Sequence, residues 1–167
     1  MACHKSDADA PMKKPVSITG EPTTVQVELG EDNESRIRIA QAVDHQETPT
    51  VRLRLRGIEV PQGVVDLKGL RIFVGDRSVS LKTPIKNPHY AGSLVLDPLQ
   101  RRQNITLNIG ETIANLTRRG QLDLRKQASL DITFVPVPYD TRSPTLEHFR
   151  LNIESVELNV PAGIENH

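Results

Sequence analysis

Val51-Arg52-Leu53-Arg54-Leu55-Arg56-Gly57-Ile58-Glu59-Val60 opens with six residues in which apolar and basic side chains alternate. Successive side chains of a strand point to opposite faces, so this period of two describes a strand with one face buried and Arg52, Arg54 and Arg56 on the other. The same alternation recurs outward in both directions. It runs through 24–29, Arg36-Ile37-Arg38-Ile39, 70–74, 93–96, 105–109, 129–137 and Phe149-Arg150-Leu151-Asn152-Ile153, continuing to Val160. Eight or so short strands separated by turn residues predict an all-β chain, an antiparallel β-sandwich or jelly roll.

One segment departs from this period. Glu111-Thr112-Ile113-Ala114-Asn115-Leu116-Thr117-Arg118-Arg119-Gly120 begins acidic, ends basic, spaces Ile113 and Leu116 three apart and stops at a glycine suited to a left-handed cap. It predicts one short helix that plugs an open end of the sandwich, because so short a helix is marginal alone in water. Residues 1–15 are small, polar and aperiodic and read as a flexible leader. Residues 16–163 read as a single β-sandwich domain and 164–167 as a tail, a division that suits a 167-residue chain.

Composition narrows the function. Twenty-one Lys and Arg balance twenty-one Asp and Glu, so there is no basic field of the kind that holds nucleic acid. With no Trp, two Tyr and three Phe, the chain lacks the rings for stacking platforms or cation cages. Its one cysteine excludes an internal disulfide. No apolar run approaches a membrane span and no signal peptide precedes the polar start, which predicts a soluble chain. Ala2-Cys3 followed by Ser, Asp and Ala is also how a processed bacterial lipoprotein begins.

No phosphate loop, nucleophile elbow or His-Glu-x-x-His helix is present, and the five histidines His4, His45, His89, His148 and His167 lack ligand spacing. The sequence therefore predicts neither an enzyme nor a cofactor in this chain. One low-order metal site is conceivable: with Met1 removed, Ala2-Cys3-His4 presents an amine, amides and an imidazole to a square-planar Cu(II) or Ni(II). Two further features invite a partner. The Arg52, Arg54, Arg56 ladder, and a similar one at Arg36 and Arg38, read either as a docking face for an acidic surface or as a solvated face pairing with Glu28 or Glu59 and blunting an edge strand. The connection Pro136-Val137-Pro138-Tyr139-Asp140-Thr141-Arg142-Ser143-Pro144 reads either as a proline-stiffened surface loop or as a finger that inserts Tyr139 into a partner.

The order of segments resembles a known family. The 51–60 strand ending Gly57-Ile58-Glu59, a strand Gly69-Leu70-Arg71-Ile72-Phe73-Val74, then Tyr90-Ala91-Gly92-Ser93-Leu94, the short helix, Leu130-Asp131-Ile132-Thr133-Phe134-Val135-Pro136 and a final strand follow one another as in the C-terminal domain of plant-type polyphenol oxidases and related bacterial tyrosinases. Pro15-Val16-Ser17-Ile18 resembles the segment joining that domain to the oxidase core. Gly69, Leu70 and Arg71 replace the family's Lys, Phe and Asp, and the 136–148 loop is longer than in plants. The resemblance implies a regulatory, non-catalytic domain that covers the dicopper site of an oxidase catalytic domain, in cis or after cleavage, and confers latency. The copper would belong to the oxidase domain, and export would follow the parent protein. Tyr139 first and Tyr90 second are the candidates for the side chain occupying the site, Tyr90 having core packing as its other reading. The rival expectation is a free-standing β-sandwich binding module.

Overall fold

The computed structural model describes residues 15–29, 33–60, 67–97, 99–139 and 149–161. Its strands are β1 (Val16–Thr19), β2 (Thr23–Glu28), β3 (Arg52–Glu59), β4 (Leu67–Val74), β5 (Tyr90–Leu94), β6 (Arg102–Asn108), β7 (Ser129–Pro138) and β8 (Arg150–Asn159). They form two four-stranded antiparallel sheets, ordered β1-β8-β3-β6 and β2-β7-β4-β5. This is the sandwich that the alternation predicts. Leu53, Leu55 and Ile58 of β3 meet Leu151 and Ile153 of β8 from one sheet and Leu70, Ile72, Ile132 and Phe134 from the other, all essentially inaccessible. At about 1.5–3 kcal/mol per buried large apolar side chain, this layer is the main favourable term in folding.

The alternation of β3 slips by one residue between Leu55 and Ile58, where the pairing with β6 shifts register. Gly57 sits in the slip with φ +64° and donates its N–H to Asn104 Oδ1 at 2.9 Å. A left-handed residue on one strand of an antiparallel pair is the signature of a glycine bulge, and it lets Ile58 return to the core after Arg56 has faced solvent.

Two helices accompany the strands, α1 (Asn33–Asp44) and α2 (Gly110–Arg118). The second is the expected one, and its Ile113 and Leu116 are fully buried in the core. The first corrects the sequence reading: Arg36-Ile37-Arg38-Ile39 is helical, not a strand, and carries no basic ladder. Ser35, Ile39, Ala40 and Val43 form its buried stripe, whereas Ile37 stays 47% exposed. Four residues of alternation do not distinguish a strand from a helix whose stripe extends beyond them. Arg36 donates to Gln127 O at 3.2 Å and Arg38 to Val160 O at 3.4 Å, so both arginines fasten α1 to the sandwich. Asp44 pairs with Arg125 at 2.7 Å.

The sandwich therefore has two unlike ends. α1 and α2 pack together where β2, β4, β6 and β8 finish, and Thr112 of α2 donates to Tyr90 O at 3.2 Å there. The opposite end holds the β1–β2 turn, the β5–β6 connection and the end of β7.

Candidate functional site

The two outer faces differ as much as the two ends. On the second sheet, residues 75–89 fold back over β7 and β4, burying Val79, Phe73 and Val135 as a small separate cluster with Leu81 and Tyr90 beside it. The anchors are polar. Arg77 makes a two-pronged pair with Asp131 at 2.9 and 3.1 Å, and Thr133 Oγ1, fully buried, donates to Asp76 O at 3.1 Å. The Asp76 carboxylate accepts the Ser78 hydroxyl at 2.6 Å and its N–H at 2.8 Å.

The Ser78 hydroxyl bond holds the Asp76 carboxyl below the usual carboxylate range, against a smaller opposing effect of burial, while the Asp131 bond raises the Arg77 guanidinium. A depressed carboxyl contributes stability above its unfolded value of about 3.9 and loses it as pH falls through the lower folded value. Asp76→Asn is therefore expected to lower stability at neutral pH by about 1 kcal/mol, a gap that closes below roughly pH 4. Melting temperatures of both proteins from pH 7 down to acid check this; a gap that persists in acid contradicts it.

The outer face of the first sheet is open and polar. Arg56 pairs with Glu157 of β8 at 2.9 Å, and Arg102 of β6 reaches both Glu154 and, at 3.7 Å, Glu59. This corrects the sequence reading of the ladder in two respects. β3 is a central strand rather than an edge, and the partner of Arg56 is Glu157, not Glu28 or Glu59. Glu28 belongs to the other sheet. Arg52 and Arg54 share the face with Arg56 and have no ion-pair partner among the described residues. Exposed pairs of this kind contribute about 0–1 kcal/mol each, so the ladder is a weak stabiliser of the fold.

The end opposite the helices carries three of the five exposed large apolar side chains among the described residues, Ile37 and Ile85 lying elsewhere. Val95 is 75%, Leu99 91% and Tyr139 67% exposed. Leu99 stands on a firmly tied turn: Asp97 Oδ1 accepts its N–H at 2.9 Å, and the Gln103 amide bonds Asp97 N and O and Gln100 O at 2.6–3.1 Å. The sequence reading passed over Leu99, although Asp97-Pro98 is a turn-initiating pair that signals a displayed residue after it. Tyr139 follows Pro136 and Pro138 on β7. Those prolines, Val135, the turn 19–22 and residues 80–82 line an open groove of about 550 Å³.

Tyr90 lies elsewhere. Its ring packs edge-on against Phe73 with centroids 5.6 Å apart, and its hydroxyl shares a 2.6 Å bond with Ser93. Register places Tyr90 beside Phe73 and Phe73 beside Thr133, six residues from Tyr139 along β7. At about 3.3 Å per residue the two tyrosines are roughly 20 Å apart, at opposite ends of the sheet, so one partner cleft cannot take both.

His45 and His89 are each tied to a backbone carbonyl through Nδ1 at 2.7 Å, of Gln41 and Val74 respectively. Among the described residues no group of three His, Cys, Asp or Glu could hold a metal ion. Cys3 and His4, and with them the amino-terminal metal site, lie outside the described residues, as does the loop beyond Tyr139. None of the described helices is long and apolar enough to cross a membrane.

No family model matches the chain, and no curated protein matches it. Solved structures do. A recombinantly expressed latent aurone synthase, a polyphenol oxidase, aligns with a TM-score of 0.57 at 17% identity, over 90% of this chain but 26% of its own. Latent aurone synthase from its natural source gives 0.54 at 17% over the same shares, and latent apple tyrosinase 0.54 at 15% over 87% and 27%. The chain thus spans about a quarter of the length of these oxidases. At such identity the likeness is one of fold: this chain has the fold of one part of plant polyphenol oxidases, consistent with the C-terminal domain that the order of its segments resembles.

Proposed function

We propose that this chain is the non-catalytic C-terminal domain of a tyrosinase- or polyphenol-oxidase-like protein, covering the dicopper site of an oxidase catalytic domain and keeping it latent. The carrying observation is that nine-tenths of the chain shares its fold with only a quarter of two oxidases that are themselves latent forms. The asymmetry of the sandwich supports the reading. One end is closed by helices, and the other displays Tyr139, Val95 and Leu99 and carries the prolines that line an open groove. An apolar end of this kind suits burial against a second domain.

Such a cover acts by occupancy. Tethered next to the catalytic domain, it meets the entrance at high effective concentration, and a side chain held in the substrate's place competes with substrate. We assign the entering ring to Tyr139, which is exposed and follows a proline-stiffened strand end. Tyr90, with its ring against Phe73, serves the fold.

The test adds the purified chain to its cognate oxidase catalytic domain and follows catechol oxidation. Inhibition that substrate relieves is expected, with Tyr139→Ala weakening it by more than about tenfold, as loss of a buried aromatic anchor does. Equal inhibition by Tyr139→Ala removes that residue from the mechanism. Absence of both binding and inhibition by the unaltered chain overturns the reading itself and leaves a binding module with another task.

A further inference from the structure

β6 is an edge strand of seven residues, Arg102-Gln103-Asn104-Ile105-Thr106-Leu107-Asn108, paired on one side to β3. Ile109 N–H donates to Val51 O and Val60 N–H to Arg101 O, each at 2.8 Å. In an antiparallel ladder, residues that exchange backbone bonds alternate with residues that do not. Gln103, Ile105 and Leu107 therefore bond to β3, and Arg102, Asn104, Thr106 and Asn108 point their N–H and C=O groups away from the sheet. That row has no strand partner among the described residues.

Natural sheets blunt such rows with short strands, prolines, bulges or charges. Two of the other three edges do so here. β1 has four residues, β5 has five and a register shift against β4, and β2 lies against β1 and β8 of the other sheet. β6 has no proline, and Arg102 is its one charge.

We infer that the free edge of β6 pairs with β6 of a second copy, about a two-fold axis at Ile105, joining two first sheets into one of eight strands. The sequence is self-complementary in this register. Asn104 of each copy lies opposite Thr106 of the other and Arg102 opposite Asn108, so no like charges meet. All four outward residues form bonded pairs, and the two Ile105 side chains meet at the axis. The inference stands apart from the proposed cover role.

The test measures the mass of the full chain in solution by light scattering and sedimentation. A dimer is expected, and Thr106→Pro, which deletes an outward N–H and no bond to β3, is expected to halve the mass with little change in circular dichroism. A monomeric parent at hundred-micromolar concentration overturns the inference, as does a folded Thr106→Pro that remains dimeric. Should that variant fail to fold, Ile105→Cys in a Cys3→Ser background decides. The facing Cα atoms of a non-bonded pair lie about 4.5 Å apart, within disulfide reach, so oxidised glutathione should yield a covalent dimer. A chain that remains uncrosslinked overturns the inference.

Discussion

Phe134→Ala is expected to destabilise the domain by about 3–5 kcal/mol and to lower its melting temperature by roughly 6–20 °C. Phe134 is fully buried and lies in register between Thr23 of β2 and Ile72 of β4, at the centre of the second sheet's inner face. Its neighbours belong to strands on both sides, so little collapse can fill the space that truncation leaves. Such a loss is a large part of the roughly 5–15 kcal/mol that holds a domain of this size together. Denaturant titration measures it directly, and a change below about 1 kcal/mol would contradict the burial described above. The effect reaches the proposed docking end because Pro136 and Pro138 continue the same strand and Tyr139 follows it. Phe134→Ala should weaken inhibition of the oxidase together with stability, whereas Tyr139→Ala should weaken inhibition and leave the melting temperature unchanged.

Gly110→Ala sets two principles against each other. Gly110 is the first residue of α2, and helix propensity alone makes alanine better there by up to about 1 kcal/mol. Geometry gives the opposite sign. A Cβ at this position would stand 1.8 Å from Pro49 O and 2.9 Å from Pro49 C, backbone atoms of the segment that leads into β3. No rotamer change relieves a clash with backbone, so α2 must move away from residues 49–51 and loosen Ile113 and Leu116 in the core. The expected result is a loss of about 1–3 kcal/mol or more, a fall of at least several degrees in melting temperature. Gly120→Ala is the control. Its φ is +75°, yet nothing lies within 4 Å of the added carbon, so its cost should stay near 1 kcal/mol. A Gly110→Ala protein as stable as its parent would show that α2 does not approach residue 49 as described.

Much of the fold was legible in the chain because strands with one buried face repeat with a period of two. Seven of the eight described strands overlap an alternating run, β1 (Val16–Thr19) being the exception, and α2 declared itself through acid, base and glycine at its ends. The site was less legible. Tyr139 drew notice as one of two tyrosines, whereas Leu99 is an ordinary leucine in composition. It becomes conspicuous once Gln103 and Asp97 are seen to hold its turn clear of the core.

The sequence by itself determined the class of the domain, the strands β2 to β8 and the helix after β6, since these follow from periodicity and end signals among residues close in sequence. Tertiary structure alone decided that Arg36-Ile37-Arg38-Ile39 is helical, that β3 is central with Arg56 paired to Glu157, and that the two tyrosines stand at opposite ends of one sheet. It also placed β6 at an edge of its sheet. Those outcomes depend on which strands become neighbours. Partners are chosen by burial and hydrogen bonding between residues as far apart as Arg52 and Asn159, and no local pattern in the chain records that choice.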